Sequence, residues 1–155
     1  MKRVVLLGAT GSVGTSTVAA VEAGAFQLVG ISAQSNVDAL CALAERFRPE
    51  MTVIGDPAKA GALEARLSPL GLSCAAGPAA VEALAAMDAD RVVIAIPGFA
   101  ALRPALAAAA AGVTICLANK ECLVAAGHLV TAAAARSGAT ILPVDSEHNA
   151  IFQVY

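Results

Sequence analysis

The chain has 155 residues, 58% of them hydrophobic but only 3% aromatic, with no Trp. That is enough to bury a substantial single-domain core, and it offers no stacking platform for single-stranded nucleic acid. Ten Lys and Arg against twelve Asp and Glu give a net charge of −2, and no basic run marks a nucleic-acid footprint.

The chain opens with Met1-Lys2-Arg3 and passes directly into Val4-Val5-Leu6-Leu7, an apolar stretch too short for a secretory signal. This reads as a first strand, Arg3–Leu7, and Gly8-Ala9-Thr10-Gly11-Ser12-Val13-Gly14 follows it before a helix over Val13–Glu22. Glycines at this junction let the backbone turn sharply and approach a pyrophosphate, with the amides of the new helix facing the anion. The alternative, a tight turn with packing glycines, explains the spacing less well.

A second strand is predicted over Gln27–Ser32, ending in Ile31-Ser32-Ala33-Gln34-Ser35-Asn36. An acidic residue here would read the ribose 2′-hydroxyl of NAD. None occurs until Asp38, so neutral donors favour the 2′-phosphate of NADP. Asn36 also suits the N-cap of the next helix, and the two roles are compatible.

Further strands are predicted at Met51–Ile54, Gly71–Ala75, Arg91–Ile96, Val113–Leu117 and Thr140–Leu142, and helices at Val37–Phe47, Pro57–Leu67, Pro78–Ala86, Ala100–Ala110 and Cys122–Arg136. Seven strands alternating with helices predict an α/β fold, a doubly wound, Rossmann-like parallel sheet with helices on both faces and strand C-termini along one rim. Such a sheet is covered on both faces, which accounts for a mean hydropathy of +0.74. The longest apolar candidate, Ala105–Ala118, is broken by Gly112 and falls short of the ~20 residues of a spanning helix. Cys41, Cys74, Cys116 and Cys122 show no CxxC and no paired metal spacing, which fits a reduced, cytoplasmic setting.

Two polar clusters sit at the same predicted rim. Asn119-Lys120-Glu121-Cys122 follows the sixth strand and can meet a cofactor and a polar substrate; a solvated helix start explains it about equally. Asp145-Ser146-Glu147-His148-Asn149 follows the seventh strand. Asp145 and Glu147, two apart, can both reach one hard cation. Alternatively Asp145 or Ser146 caps a helix and Glu147 sits near its positive end. Phe152 to Tyr155 read as lying inside a beginning helix, so residues 1–142 are expected to form a nucleotide-binding domain and 143–155 the truncated start of a catalytic region.

Three segments together resemble the 1-deoxy-D-xylulose 5-phosphate reductoisomerases: Gly8 to Thr17, Leu117 to Val124, and Leu142 to Gln153. The resemblance implies a bacterial, metal-dependent enzyme of the non-mevalonate isoprenoid pathway. Such an enzyme isomerises a phosphorylated sugar and reduces it with NADPH to 2-C-methyl-D-erythritol 4-phosphate, and its full-length form is a homodimer. It places Thr10, Gly11, Ser12 and Val13 at the pyrophosphate, Ser35 and Asn36 at the 2′-phosphate, and Asn119 and Glu121 at the nicotinamide half. It assigns Lys120, Ser146 and Glu147 to substrate, Asp145 and Glu147 to Mg²⁺ or Mn²⁺, and catalysis to Lys120 and Glu147. This chain reads Gln34-Ser35-Asn36 where the family often has Gly-Lys-Asn. The 155 residues alone are expected to bind cofactor without turnover.

Two other readings compete. One is the cofactor domain of another NADP enzyme; a short-chain reductase needs a Tyr-x-x-x-Lys pair that a chain whose one Tyr is Tyr155 lacks, and a semialdehyde dehydrogenase would need Cys122 as nucleophile. The other is a nucleotide-binding module without chemistry.

Overall fold

The computed structural model describes residues 1–24, 26–144 and 146–154, with the side chains of 146–148 outside the description. Seven strands form one sheet: β1 (Lys2–Leu7), β2 (Phe26–Ala33), β3 (Met51–Ile54), β4 (Cys74–Ala76), β5 (Arg91–Ile94), β6 (Thr114–Leu117) and β7 (Ile141–Pro143). All pairings are parallel, in the order β4-β3-β2-β1-β5-β6-β7. The chain winds outward from β1 to β4, returns to the other side of β1, and winds outward again. The direction reverses between β1 and β5, where open α/β sheets hold ligands beyond the strand C-termini.

The connecting helices are α1 (Ser12–Ala23), α2 (Val37–Phe47), α3 (Ala60–Leu67), α4 (Pro78–Ala85), α5 (Leu102–Ala110) and α6 (Lys120–Ser137), with α7 (Ser146–Val154) after β7. Successive strand side chains point to opposite faces, and β1 shows the result. Val4 and Leu6 pack with Val18, Val21, Leu40 and Leu63 of α1 to α3. Val5 and Leu7 pack with Val81, Leu84, Ala105 and Ala133 of α4 to α6. Both faces are covered, so the doubly wound architecture expected from the sequence holds. Among the described residues no helix is long and apolar enough to cross a membrane.

Several boundaries differ from expectation for local reasons. β4 starts at Cys74 rather than Gly71, because Ser68–Leu70 is a 3-10 turn closed by Gly71 at φ 68. β5 stops at Ile94 rather than Ile96, because the Ile96 carbonyl is taken by the side chain of Asn119 at 2.8 Å. The helix expected over Pro57–Leu67 is a 3-10 turn, Pro57–Lys59, followed by α3. α6 starts at Lys120, capped by Asn119, and bends at Ala126 (φ −147, ψ 29). The final helix begins at Ser146, where the capping reading of Asp145 or Ser146 puts a helix start.

At the opposite end of the sheet Arg3 ties three segments together. Its amide donates to Asp90 Oδ2 at 2.6 Å, and its guanidinium donates to Glu50 Oε1 and Oε2 at 2.6 and 3.0 Å and to the Asp88 carbonyl at 3.0 Å.

Candidate functional site

The glycine loop bends over the end of β1. Gly8 (φ +83) and Ala9 donate from their amides to the Ser32 carbonyl at 3.1 and 2.7 Å, which fastens the loop to the end of β2. A Cβ on Gly8 would lie 2.5 Å from the Ala95 oxygen, and one on Gly14 would lie 2.6 Å from the Ala9 carbonyl. Packing therefore demands both glycines.

Gly11 is different. It is the N-cap of α1 in an extended conformation (φ −83, ψ 175), and a Cβ there would meet only the Gly8 oxygen, at 3.5 Å. Its bareness leaves open space over the helix start. α1 has no side-chain cap and no acidic residue in its first turn. Its first amides and its positive end are thus left for an external anion, which the nearby Thr10 hydroxyl and Ser12 can supplement.

Beside this loop runs a cleft of about 460 Å³. It is lined by Gly8, Thr10 and Gly11, by the end of β2 through Gln34, by Pro78, Val81 and Glu82 of α4, and by residues of the Ala95–Pro104 segment. At the end of β2, Ser35 and Asn36 are exposed. Asn36 Oδ1 accepts from the Ala39 amide at 3.1 Å and caps α2, which leaves its amide hydrogens as donors. Gln34, Ser35 and Asn36 themselves carry no carboxylate, so this donor set suits a phosphate on the ribose better than a bare 2′-hydroxyl.

Asn119 is 3% exposed. Its Nδ2 donates to the Ile96 and Gly98 carbonyls at 2.8 and 3.0 Å, and its Oδ1 accepts from the Cys122 amide at 2.8 Å. One side chain thus caps α6 and clasps the turn that forms a cleft wall. Lys120 and Glu121 are exposed in the first turn of α6, where Glu121 also complements the helix dipole. Cys122 is fully buried, and burial first, then the Glu121 charge, pushes its thiol up. This is a packed thiol, not an activated nucleophile.

β6 and β7 pair in register, Leu117 beside Pro143, and the Val144 amide donates to the Leu117 carbonyl at 3.0 Å. The chain therefore leaves β7 at the rim where Ala118 to Lys120 leave β6. Asp145 lies outside the described residues, as do the side chains of Ser146, Glu147 and His148. Among the described residues no group of three His, Cys, Asp or Glu side chains is placed to hold a metal.

Sequence reasoning overlooked two cleft residues, Glu82 and Arg103, paired Oε1 to Nε at 2.9 Å. The available signal was their isolation: each is the lone charge in an Ala-rich helix.

A family model described as 1-deoxy-D-xylulose 5-phosphate reductoisomerase matches residues 4–127. The reductoisomerase of Rhodospirillum centenum is 50% identical over 157 residues, covering 100% of this chain and 39% of its own length. That of Caulobacter vibrioides is 47% identical over 155 residues, covering 99% and 39%. Among solved structures, the Zymomonas mobilis enzyme in complex with NADPH superposes with a TM-score of 0.95 at 43% identity, over 99% of this chain and 41% of that one. A DOX-P reductoisomerase in complex with NADPH, fosmidomycin and magnesium gives 0.95 at 42%, over 99% and 38%. A homoserine dehydrogenase from Thermoplasma acidophilum, at 20% identity and a TM-score of 0.60, shares the fold alone. The chain spans about 39% of the length of the Rhodospirillum relative. The family match runs from β1 into α6, through the loop, the cleft and the Asn119 clasp, and the chain belongs to the 1-deoxy-D-xylulose 5-phosphate reductoisomerase family.

Proposed function

We propose that this chain is the NADPH-binding part of a reductoisomerase that converts 1-deoxy-D-xylulose 5-phosphate to 2-C-methyl-D-erythritol 4-phosphate in isoprenoid synthesis. In this reading residues 1–142 are the cofactor domain and 143–155 open the catalytic region of a cytoplasmic, homodimeric enzyme. The observation that carries it is the uncapped start of α1 under Gly11, at the switch point between β1 and β5, in a family with solved structures in complex with NADPH.

Thr10, Gly11, Ser12 and Val13 surround the pyrophosphate through the amides and hydroxyls of the α1 start. Ser35 and Asn36 donate to the 2′-phosphate. Glu121 lies toward the nicotinamide half, and Asn119 shapes that region by holding the Ile96–Gly98 turn. Lys120 brings a positive charge to the substrate's hydroxyls. Asp145 and Glu147 supply hard oxygen ligands for Mg²⁺ or Mn²⁺, and Ser146 and Glu147 hold substrate beside them. When bound, NADPH supplies the hydride and the divalent cation polarises the substrate oxygens. The pairing of β6 with β7 supports this division of labour, because it brings the Lys120 and Glu147 segments to one rim.

Calorimetric titration of the purified chain tests the cofactor assignment. NADPH is expected to bind, and more tightly than NADH; a folded sample that binds neither overturns it. In a chain of the relatives' full length, Asp145→Asn and Glu147→Gln are expected to abolish metal-dependent turnover while changing the Kd for NADPH less than about twofold, since a hard cation prefers charged oxygens. Parallel loss of NADPH binding would instead put the two carboxylates at the cofactor.

A further inference from the structure

We infer that Arg103, paired with Glu82, reads the cofactor's 2′-phosphate and sets the preference for NADPH over NADH. The inference rests on the reading of the cleft as an NADPH site. Glu82 and Arg103 are the charged residues of its lining. The end of β2 enters the same cleft through Ser32, Ala33 and Gln34, and the exposed Ser35 and Asn36 follow, all neutral. A 2′-phosphate entering there meets hydrogen-bond donors from the end of β2 and its counter-charge from Arg103.

The two partners are held differently. Glu82 is 27% exposed in the cleft wall, whereas Arg103 is 79% exposed at the mouth. Arg103 is thus the partner able to move. It meets Glu82 through Nε, which leaves the Nη1–Nη2 side of the fork for a second anion, and a guanidinium fork matches phosphate oxygens.

Glu82 gives the pair its selectivity. A carboxylate in a dinucleotide cleft accepts a ribose 2′-hydroxyl and repels a 2′-phosphate. Arg103 neutralises that carboxylate and offers a cation in its place. Without Arg103 the same wall carries an unmasked negative charge, which disfavours NADPH and tolerates NADH.

The test is the Kd of both dinucleotides, by titration calorimetry on folded samples, for the wild-type chain, Arg103→Ala, Arg103→Lys, Glu82→Gln and the double variant. Arg103→Ala is expected to weaken NADPH by about tenfold or more, as for loss of a charge-assisted hydrogen bond, and to change NADH by less than about twofold. Arg103→Lys, which keeps charge without the fork, falls between and serves as the deciding variant should Arg103→Ala not fold. Glu82→Gln tightens NADPH, and the double variant recovers part of the Arg103→Ala loss because the unmasked carboxylate is gone. The wild-type preference shrinks with added salt. Equal losses for NADPH and NADH would make Arg103 a wall or stacking group and overturn the inference. So would an Arg103→Ala chain that keeps the wild-type preference. A wild-type chain that binds neither dinucleotide overturns the cofactor reading and this inference with it.

Discussion

Gly8→Ala and Gly11→Ala place a methyl group at two points of one short turn, with opposite expected outcomes. At Gly8 the backbone has φ +83 and the new Cβ would sit 2.5 Å from the Ala95 oxygen and 2.8 Å from its carbon. An L residue in the left-handed region costs about 1–2 kcal/mol. Overpacking costs about 1–3 kcal/mol more, at the upper end here because the obstacle is backbone that cannot rotate away. Together that is about 2–5 kcal/mol, a large part of the ~5–15 kcal/mol that holds a domain folded. At about 2–4 °C per kcal/mol for a chain of this size, the melting midpoint of Gly8→Ala should fall by about 4–20 °C. At Gly11 the backbone is extended and the new Cβ has room, so only the N-cap preference is lost, about 1 kcal/mol or less. Yet that methyl covers the α1 amides, and the Kd for NADPH should rise by about tenfold or more, as expected for lost hydrogen bonds to a charged group. Thermal denaturation followed by circular dichroism and NADPH titration of the folded variants measure both. A Gly8→Ala chain that melts with the wild type, or a Gly11→Ala chain that binds NADPH as the wild type does, refutes this account of the loop.

The remaining predictions concern the two polar clasps. Glu50 is held below the ordinary carboxylate range, chiefly by its hydrogen bonds from Arg3, so its contribution to stability is fully present above its unfolded value of about 4.3 and is lost as pH falls through the lower folded value. The melting difference between wild type and Glu50→Gln should therefore be constant above about pH 5 and vanish in acid; a difference that grows on acidification contradicts the assignment. Asn119→Ser keeps an acceptor for the Cys122 amide but orphans the Ile96 and Gly98 carbonyls, at about 1–3 kcal/mol, and Asn119→Ala loses the cap as well, about 1 kcal/mol further. Parallel melts should rank wild type above Asn119→Ser above Asn119→Ala. An Asn119→Ser chain as stable as wild type would mean that the clasp contributes nothing.

The sequence by itself determined the local elements, because their causes lie within a few residues. The apolar run Val4–Leu7 is a strand buried on both faces, the glycines open a helix at Ser12, and Asn36 caps α2 as its position suggested. Where a nearby residue was misjudged, as with Gly71 closing a 3-10 turn instead of starting β4, the error stayed local. Only the tertiary structure decided the rest. Strands apolar on both faces are interchangeable by pattern, so their order around β1 depends on packing. The donors of Asn119 reach carbonyls 23 and 21 residues back, and Arg3 finds Glu50 and Asp90 at separations of 47 and 87. Glu82 and Arg103, 21 positions apart in two different helices, gave no sequence signal of a shared role, and only the packed structure brings them to one cleft. Periodicity and capping are short-range effects that a one-dimensional pattern records. The partner of a polar side chain depends on which surfaces the core brings together, and that information is shared among residues far apart in the chain.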